Sequence, residues 1–215
     1  MSMMNVSLII PAYNEAHHLS HLLTSIPPCI DEVIVIDDGS CDNTAAVAQA
    51  HGAVVIQHAR NWGKGMAMVS GIQKARGDIV VFMDADLQHR PEDIYRLIEP
   101  IAEDRADLSI GVRTLGSRKT MPAQRRITNF LGNFLVYCMI KQWIADTQSG
   151  FRAVRKPFLD QMKFKSKRYE IEIEMLKWAA QLKMRISEVP IEIKYGQEKS
   201  HWKVRNLFRV LKILF

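Results

Sequence analysis

Two aspartates one residue apart, Asp84 and Asp86, close an apolar run in the stretch FMDADLQHRPED (82–93), with Gln88 two residues on. On a strand end, carboxylates separated by a small residue can converge on one hard cation, and the Gln88 amide adds a third oxygen. That donor set suits Mg2+ or Mn2+ bridging phosphates. The same residues also read as capping acids ahead of Pro91. Gly63-Lys64-Gly65 opens a helix and offers backbone N–H groups and an ammonium to an anion. Its spacing is neither a P-loop nor a dinucleotide fingerprint, and read alone a tight turn is the better reading. His17 and His21 stand at i, i+4 but lack the Glu and third ligand of a zincin site, so a solvated helix face is the better reading. His89, beside the acids, reads as an exposed loop histidine.

The elements that must position these groups are short β-rich runs alternating with helical stretches. Runs at 6–10, 32–36, 53–57, 78–83 and 107–112 are almost continuously apolar, and helical patterns lie between them at 15–26 and 63–75. This predicts βα units in a mainly parallel sheet buried on both faces, with ligands at the strand C-terminal ends. The residues expected there are Pro11, Tyr13, Asn14 and Glu15, then Asp37 and Asp38, then Asp84 and Asp86. The second half predicts a long helix at about 123–144, a turn and strand at DTQSGFRAVR, a helix at 169–183 and strands near 186–195.

At 215 residues the chain can bury a three-layer core unaided. Its three cysteines, Cys29, Cys41 and Cys138, form no CxxC pair and argue for a reducing compartment. The N-terminus lacks a basic n-region, and the uncharged run 127–140 is too short and polar for a comfortable membrane span, so a cytoplasmic protein is expected. The net charge of +6 is unevenly placed: Arg113, Arg118, Lys119, Arg125 and Arg126 share an acid-free segment, and a second basic cluster runs from Lys194 to the end. Residues 202–215 put Val204, Leu207, Phe208 and Leu211 opposite Arg205, Arg209 and Lys212. Such a helix fits either the core or a membrane surface.

Taken together, IIPAYNE (9–15), VIDDGSCDNT (35–44), NWGKGMA (61–67), DADLQH (84–89), DTQSGFR (146–152) and EVPI (188–191) occur in the order seen in glycosyltransferase family 2. Over about residues 5–200 the chain most resembles the polyprenyl-phosphate branch, the dolichyl-phosphate mannosyltransferases and their bacterial relatives. The resemblance implies a GT-A fold: a Rossmann-like, mainly parallel sheet flanked by helices, with an acceptor-side extension. Its parts would be a glycosyltransferase domain at 1–201, with a donor half to about 112 and an acceptor half from 113, and a basic amphipathic helix at 202–215.

The implied reaction is inverting transfer from a nucleotide-diphosphate sugar, GDP-mannose or a UDP-hexose, to a polyprenyl phosphate at the cytoplasmic membrane face. Nucleic acid is not an expected partner. By the same resemblance, Pro11, Tyr13, Glu15, Asp37, Asp38, Lys64, Asp84, Ala85 and Asp86 would bind the donor, and Asp84, Asp86 and Gln88 would hold Mg2+ or Mn2+. Arg113, Arg125, Asn129, Gln148, Ser149, Lys199 and His201 would bind the acceptor, while Asp86, Asp146 and Arg152 would serve catalysis. Lys199-Ser200-His201 stands where the dolichyl enzymes typically have Ser-Lys. Two other expectations compete: transfer to a neutral hydroxyl with Asp146 as general base, and a non-catalytic nucleotide-sugar-binding scaffold.

Overall fold

The computed structural model describes residues 4–113, 133–134, 136–138 and 140–192. The expected helix at 123–144 therefore falls mostly outside the described residues, and so do Arg125, Asn129, Lys199, His201 and the whole of 202–215. Among the described residues, 133–134, 136–138 and 140 are helical.

The strands are β1 (Val6–Ala12), β2 (Glu32–Asp37), β3 (Val54–Gln57), β4 (Ile79–Phe82), β5 (Leu108–Arg113), β6 (Arg152–Arg155) and β7 (Ile186–Ile191). The helices are α1 (Ala16–Thr24), α2 (Thr44–Ala50), α3 (Lys64–Lys74), α4 (Ile94–Ala102) after a 3-10 turn at Pro91–Asp93, the short α5 (Lys156–Leu159) and α6 (Ile171–Gln181). The strands form one sheet in the order β3-β2-β1-β4-β6-β5-β7. Pairing is parallel throughout except at β6, which runs antiparallel to both β4 and β5. The sheet is thus mainly parallel but mixed. β7 spans Ile186–Ile191, and residues 193–195 of the expected strand region lie outside the described residues.

Alternation along the strands explains why their sequences are apolar throughout. In β1, Leu8 and Ile10 face one core with Leu19 and Leu22 of α1 and Ile94, Leu97 and Ile101 of α4. Ile9 faces the other, with Met68 and Ile72 of α3 and Met175, Leu176 and Ala179 of α6. A strand covered on both sides has no solvent face to mark with polar residues.

Strand polarity then fixes the position of the chemistry. Because β1, β2, β4 and β5 run the same way, their C-terminal ends share one edge of the sheet, and antiparallel β6 begins at that edge, with Arg152 opposite Phe82 and Ile110. The chain winds outward from β1 to β2 and β3, then returns to place β4 on the other side of β1. That reversal opens a crevice between the β1 and β4 ends.

Helix α3 lies close on the sheet at Gly71. A Cβ there would sit 2.6 Å from Ile9 Cγ2 and 2.9 Å from Ile36 Cδ1. Gly71→Val should therefore destabilise the fold by about 1–3 kcal/mol through overpacking, read from urea unfolding.

Candidate active site

The crevice is framed by two loops that hold each other. Asn14 N–H donates to Ser40 Oγ at 2.8 Å, Cys41 N–H donates to Asn14 Oδ1 at 2.8 Å, and Glu15 N–H donates to Thr44 Oγ1 at 2.9 Å. Asn14 takes a positive φ of 56°, a conformation Asn tolerates better than most residues. Pro11 remains in β1, Tyr13 is 46% exposed beside the crevice, and Glu15 pairs with His18 at 2.6 Å.

The acids after β2 are buried and occupied by their own chain. Asp37 accepts from Ser40 N–H at 2.9 Å and from the Gln57 amide at 3.2 Å. Asp38 accepts from His58 Nδ1 at 2.7 Å, Trp62 N–H at 2.9 Å and Gly63 N–H at 2.7 Å. His58 Nε2 then meets Ser70 Oγ at 2.9 Å. These carboxylates order the 58–63 loop, and through it the start of α3.

The start of α3 shows what Gly63 and Gly65 do in the fold. Gly63 has φ 97°, and a Cβ on Gly65 would lie 2.5 Å from the Ser166 carbonyl oxygen. Met66 N–H points to the Lys167 carbonyl at 3.4 Å. The glycines admit the 166–168 backbone, which covers this helix end.

Lys64 faces the site. Its Nζ lies 2.6 Å from Asp84 Oδ1 and 2.8 Å from Glu172 Oε1, with the Tyr169 ring 5.9 Å away. Burial disfavours the ammonium, but the two carboxylates more than offset it and hold its pKa above the ordinary range. Burial likewise works against the Asp84 carboxylate, and Lys64 overcomes it, leaving the Asp84 pKa lowered.

Ala85 is buried, while Asp86 and Gln88 are partly exposed. Gln88 N–H donates to Asp86 Oδ1 at 3.1 Å, and Leu87 between them is forced to φ 58°, a strained value for a bulky side chain. The oxygens of Asp84, Asp86 and Gln88 thus lie on one tight turn. Among the described residues no three His, Cys, Asp or Glu side chains assemble into a closed metal site. Two carboxylates with an amide oxygen fit instead a hard cation that completes its shell with water and phosphate oxygens.

His89, expected to be an exposed loop residue, is 8% exposed and stacks on Phe151 at 5.0 Å. Burial drives its pKa down to about 4, so the ring is neutral at pH 7, and its Nδ1 has no hydrogen-bond partner.

The second wall comes from β5 and the loop before β6. Arg113 grips Asp146 with a two-pronged fork, Nε to Oδ2 at 2.5 Å and a terminal nitrogen to Oδ1 at 3.2 Å. Asn133 binds the Thr147 hydroxyl at 2.7 Å and the Ala145 carbonyl at 2.9 Å, shaping the same loop. Gln148 is half-buried and Ser149 buried. Arg152 has no exposed surface. Its guanidinium donates to the carbonyls of Ser149 at 2.8 Å, Thr147 at 2.7 Å and Glu172 at 2.6 Å, and burial lowers its pKa to about 10. Such a side chain positions the loop and helix around it.

Sequence reading missed Glu172, His58 and Asn133. Glu172 had a signal: in YEIEIEML three acids, Glu170, Glu172 and Glu174, interrupt an apolar helix start, and all are buried. Glu174 caps the covering loop by accepting from Lys165 and Ser166 N–H, each at 2.8 Å.

The Glycosyl transferase family 2 model matches residues 7–163. A UDP-N-acetylglucosamine–dolichyl-phosphate N-acetylglucosaminyltransferase of Methanococcus voltae is 33% identical, covering 89% of this chain and 86% of that protein. An undecaprenyl-phosphate mannosyltransferase of Micrococcus luteus is 34% identical, covering 91% and 87%. Among solved structures, glucosyl-3-phosphoglycerate synthase of Mycobacterium tuberculosis in complex with Mn2+, uridine diphosphate and phosphoglyceric acid superposes with a TM-score of 0.79. It is 25% identical, and the match covers 98% of this chain and 77% of that one.

Two outcomes follow from the geometry. Replacing Arg152 with Met takes the guanidinium donor from three buried carbonyls and should cost at least about 3 kcal/mol of stability, measured by urea unfolding. Because the folded pKa of His89 lies below its unfolded value near 6.5, its contribution to stability is complete above about pH 6.5 and is lost as pH falls towards 4. In NMR titration the His89 ring signals should stay flat from pH 8 to about 5.5.

Proposed function

The chain belongs to glycosyltransferase family 2, and from that membership we propose that it moves one sugar from a nucleotide-diphosphate donor to a polyprenyl phosphate, with inversion at the anomeric carbon. The observation that carries this reading is the meeting, at one sheet edge, of an Asp84–Asp86 oxygen turn with an Arg113–Asp146 ion pair. The first suits a diphosphate with its cation and the second suits an anionic acceptor. The relatives named for dolichyl and undecaprenyl phosphate support the acceptor class, and the neighbour holding Mn2+ and uridine diphosphate supports the donor class.

In this reading Asp84, Asp86 and Gln88 hold Mg2+ or Mn2+, which when bound offsets the charge growing on the leaving diphosphate. Pro11, Tyr13 and Glu15 form the donor-side rim of the crevice, Asp37 and Asp38 brace it from beneath, and Ala85 keeps the turn small. Lys64 fixes the Asp84 carboxylate. The acceptor phosphate is already an anion at neutral pH. One of its oxygens forms a bond to the anomeric carbon as the bond to the diphosphate oxygen breaks, and no proton need be removed.

Arg113 offers this anion a guanidinium while Asp146 orients the fork. Both Asp146 oxygens already accept from Arg113, which favours this role over general base for a hydroxyl acceptor. Gln148 and Ser149 line the same loop, and Arg125, Asn129, Lys199 and His201 are assigned to the acceptor side by the family pattern. Arg152 acts by positioning. No helix among the described residues is long and apolar enough to cross a membrane. We assign membrane attachment at the cytoplasmic face to the basic segment 202–215, whose sequence reads as amphipathic, following the domain at 1–201.

A product assay pairing UDP- and GDP-sugars with polyprenyl phosphate and with the free polyprenol tests the reading. Asp86→Ala, like chelation, should slow turnover at least about a hundredfold, roughly 3 kcal/mol in the barrier. Arg113→Ala should weaken acceptor use about ten- to a hundredfold while leaving donor binding nearly intact. Equal turnover of the free polyprenol, with activity lost in Asp146→Asn but kept in Arg113→Ala, would hand the reaction to a hydroxyl acceptor.

A further inference from the structure

Lys64 has two carboxylate partners, and only Asp84 belongs to the turn assigned to the cation. The other, Glu172, comes from the first turn of α6, has a side chain only 3% exposed, and leaves its Oε2 buried without a hydrogen-bond partner. A buried carboxylate with a free oxygen opposes folding, so its retention calls for a compensating role. Two carboxylates facing one ammonium also leave the group with an excess negative charge. Gly150 presses on the pair: a Cβ there would lie 2.7 Å from both Asp84 Oδ2 and Lys64 Nζ, so the ammonium has little room to move aside.

A divalent cation at Asp84 would compete with the ammonium for this carboxylate. Were Asp84 its only partner, Lys64 would be left as an unpaired charge with its side chain 12% exposed, and that penalty would count against cation binding. We propose that Glu172 is a positioning residue that holds Lys64 when Asp84 turns to the cation, so that binding exchanges one partner of a buried ammonium instead of stranding it. Glu172 then sets cation affinity without touching the cation. The proposal rests on the reading of Asp84 as a cation ligand.

Mn2+ binding to the full chain, followed by electron paramagnetic resonance of the free ion with UDP or GDP present, provides the test. Glu172→Gln should bind Mn2+ about tenfold more weakly than the unmodified chain, and adding Lys64→Met should restore affinity to within about threefold, because the ammonium that needed holding is gone. Lys64→Met alone should tighten binding. Unchanged affinity in Glu172→Gln overturns the proposal, as does a double variant that stays weak, since a merely structural loss would not be repaired by a second substitution. Should Glu172→Gln fail to fold, the Lys64→Met arm decides: no tightening there also overturns it. An unmodified chain that binds no Mn2+ with either nucleotide refutes the cation site itself, an outcome distinct from all of these.

Discussion

The site depends on one buried guanidinium. Arg152 opens β6 and donates to carbonyls at 147, 149 and 172, tying the loop before its own strand to the first turn of α6. From the loop side it fixes Gly150 against Asp84 and Lys64, and it holds in place the segment that begins at Asp146. From the helix side it fixes the backbone of Glu172, the second partner of Lys64. An arginine can do this because its donors leave in a rigid planar fork, so three acceptors are held in one plane at once. A lysine in its place would have no such plane to impose.

Around that clamp the site is built as layers of prior commitment. Asp37 and Asp38 are spent on main-chain N–H groups and His58, so the strand-end acids most visible in the sequence serve as braces. Asp84 and Asp146 lie nearer the crevice and are each matched to one cation side chain, Lys64 and Arg113. This pairing keeps four acids at one sheet edge from repelling one another before any ligand arrives. In the proposed reaction, an anionic ligand or a divalent cation would enter by exchanging partners with groups already paired.

Much of this was legible in the residues. The five apolar runs became β1 to β5 within a residue or two; burial on both faces accounts for the pattern in β1, β4 and β5 but not in the edge strand β3, which has no buried residue, and the strand-end rule placed Tyr13, Asp37 and Asp84 on one edge. The antiparallel insertion of β6 was not legible, since RAVR is too short to declare its direction. Nor was the burial of His89, which depends on Phe151 arriving from a distant segment. The glycines flanking Lys64 read as a tight turn, but the packing that requires them lies about a hundred residues later, in the 166–168 backbone. Glu172 stayed hidden for the same reason: an acid in a helix start looks like a favourable charge on the dipole, and only the tertiary structure shows it facing an ammonium.

The place of β6 in the sheet also governs how the chain can be assembled. β4 and β5, consecutive in sequence, do not touch; β6 stands between them and bonds to both. Until residue 155 has left the ribosome, β4 presents an open, fully apolar edge, and β5 has neither of its neighbours, since β7 comes later still. A nascent chain that stalls near residue 113 therefore carries the loops after β1, β2 and β4 on a sheet that cannot close, with strand edges free to pair with other chains. The stretches before and after residue 113 share one sheet. Recombining them between relatives would require exchanging β6 together with the strands on either side of it.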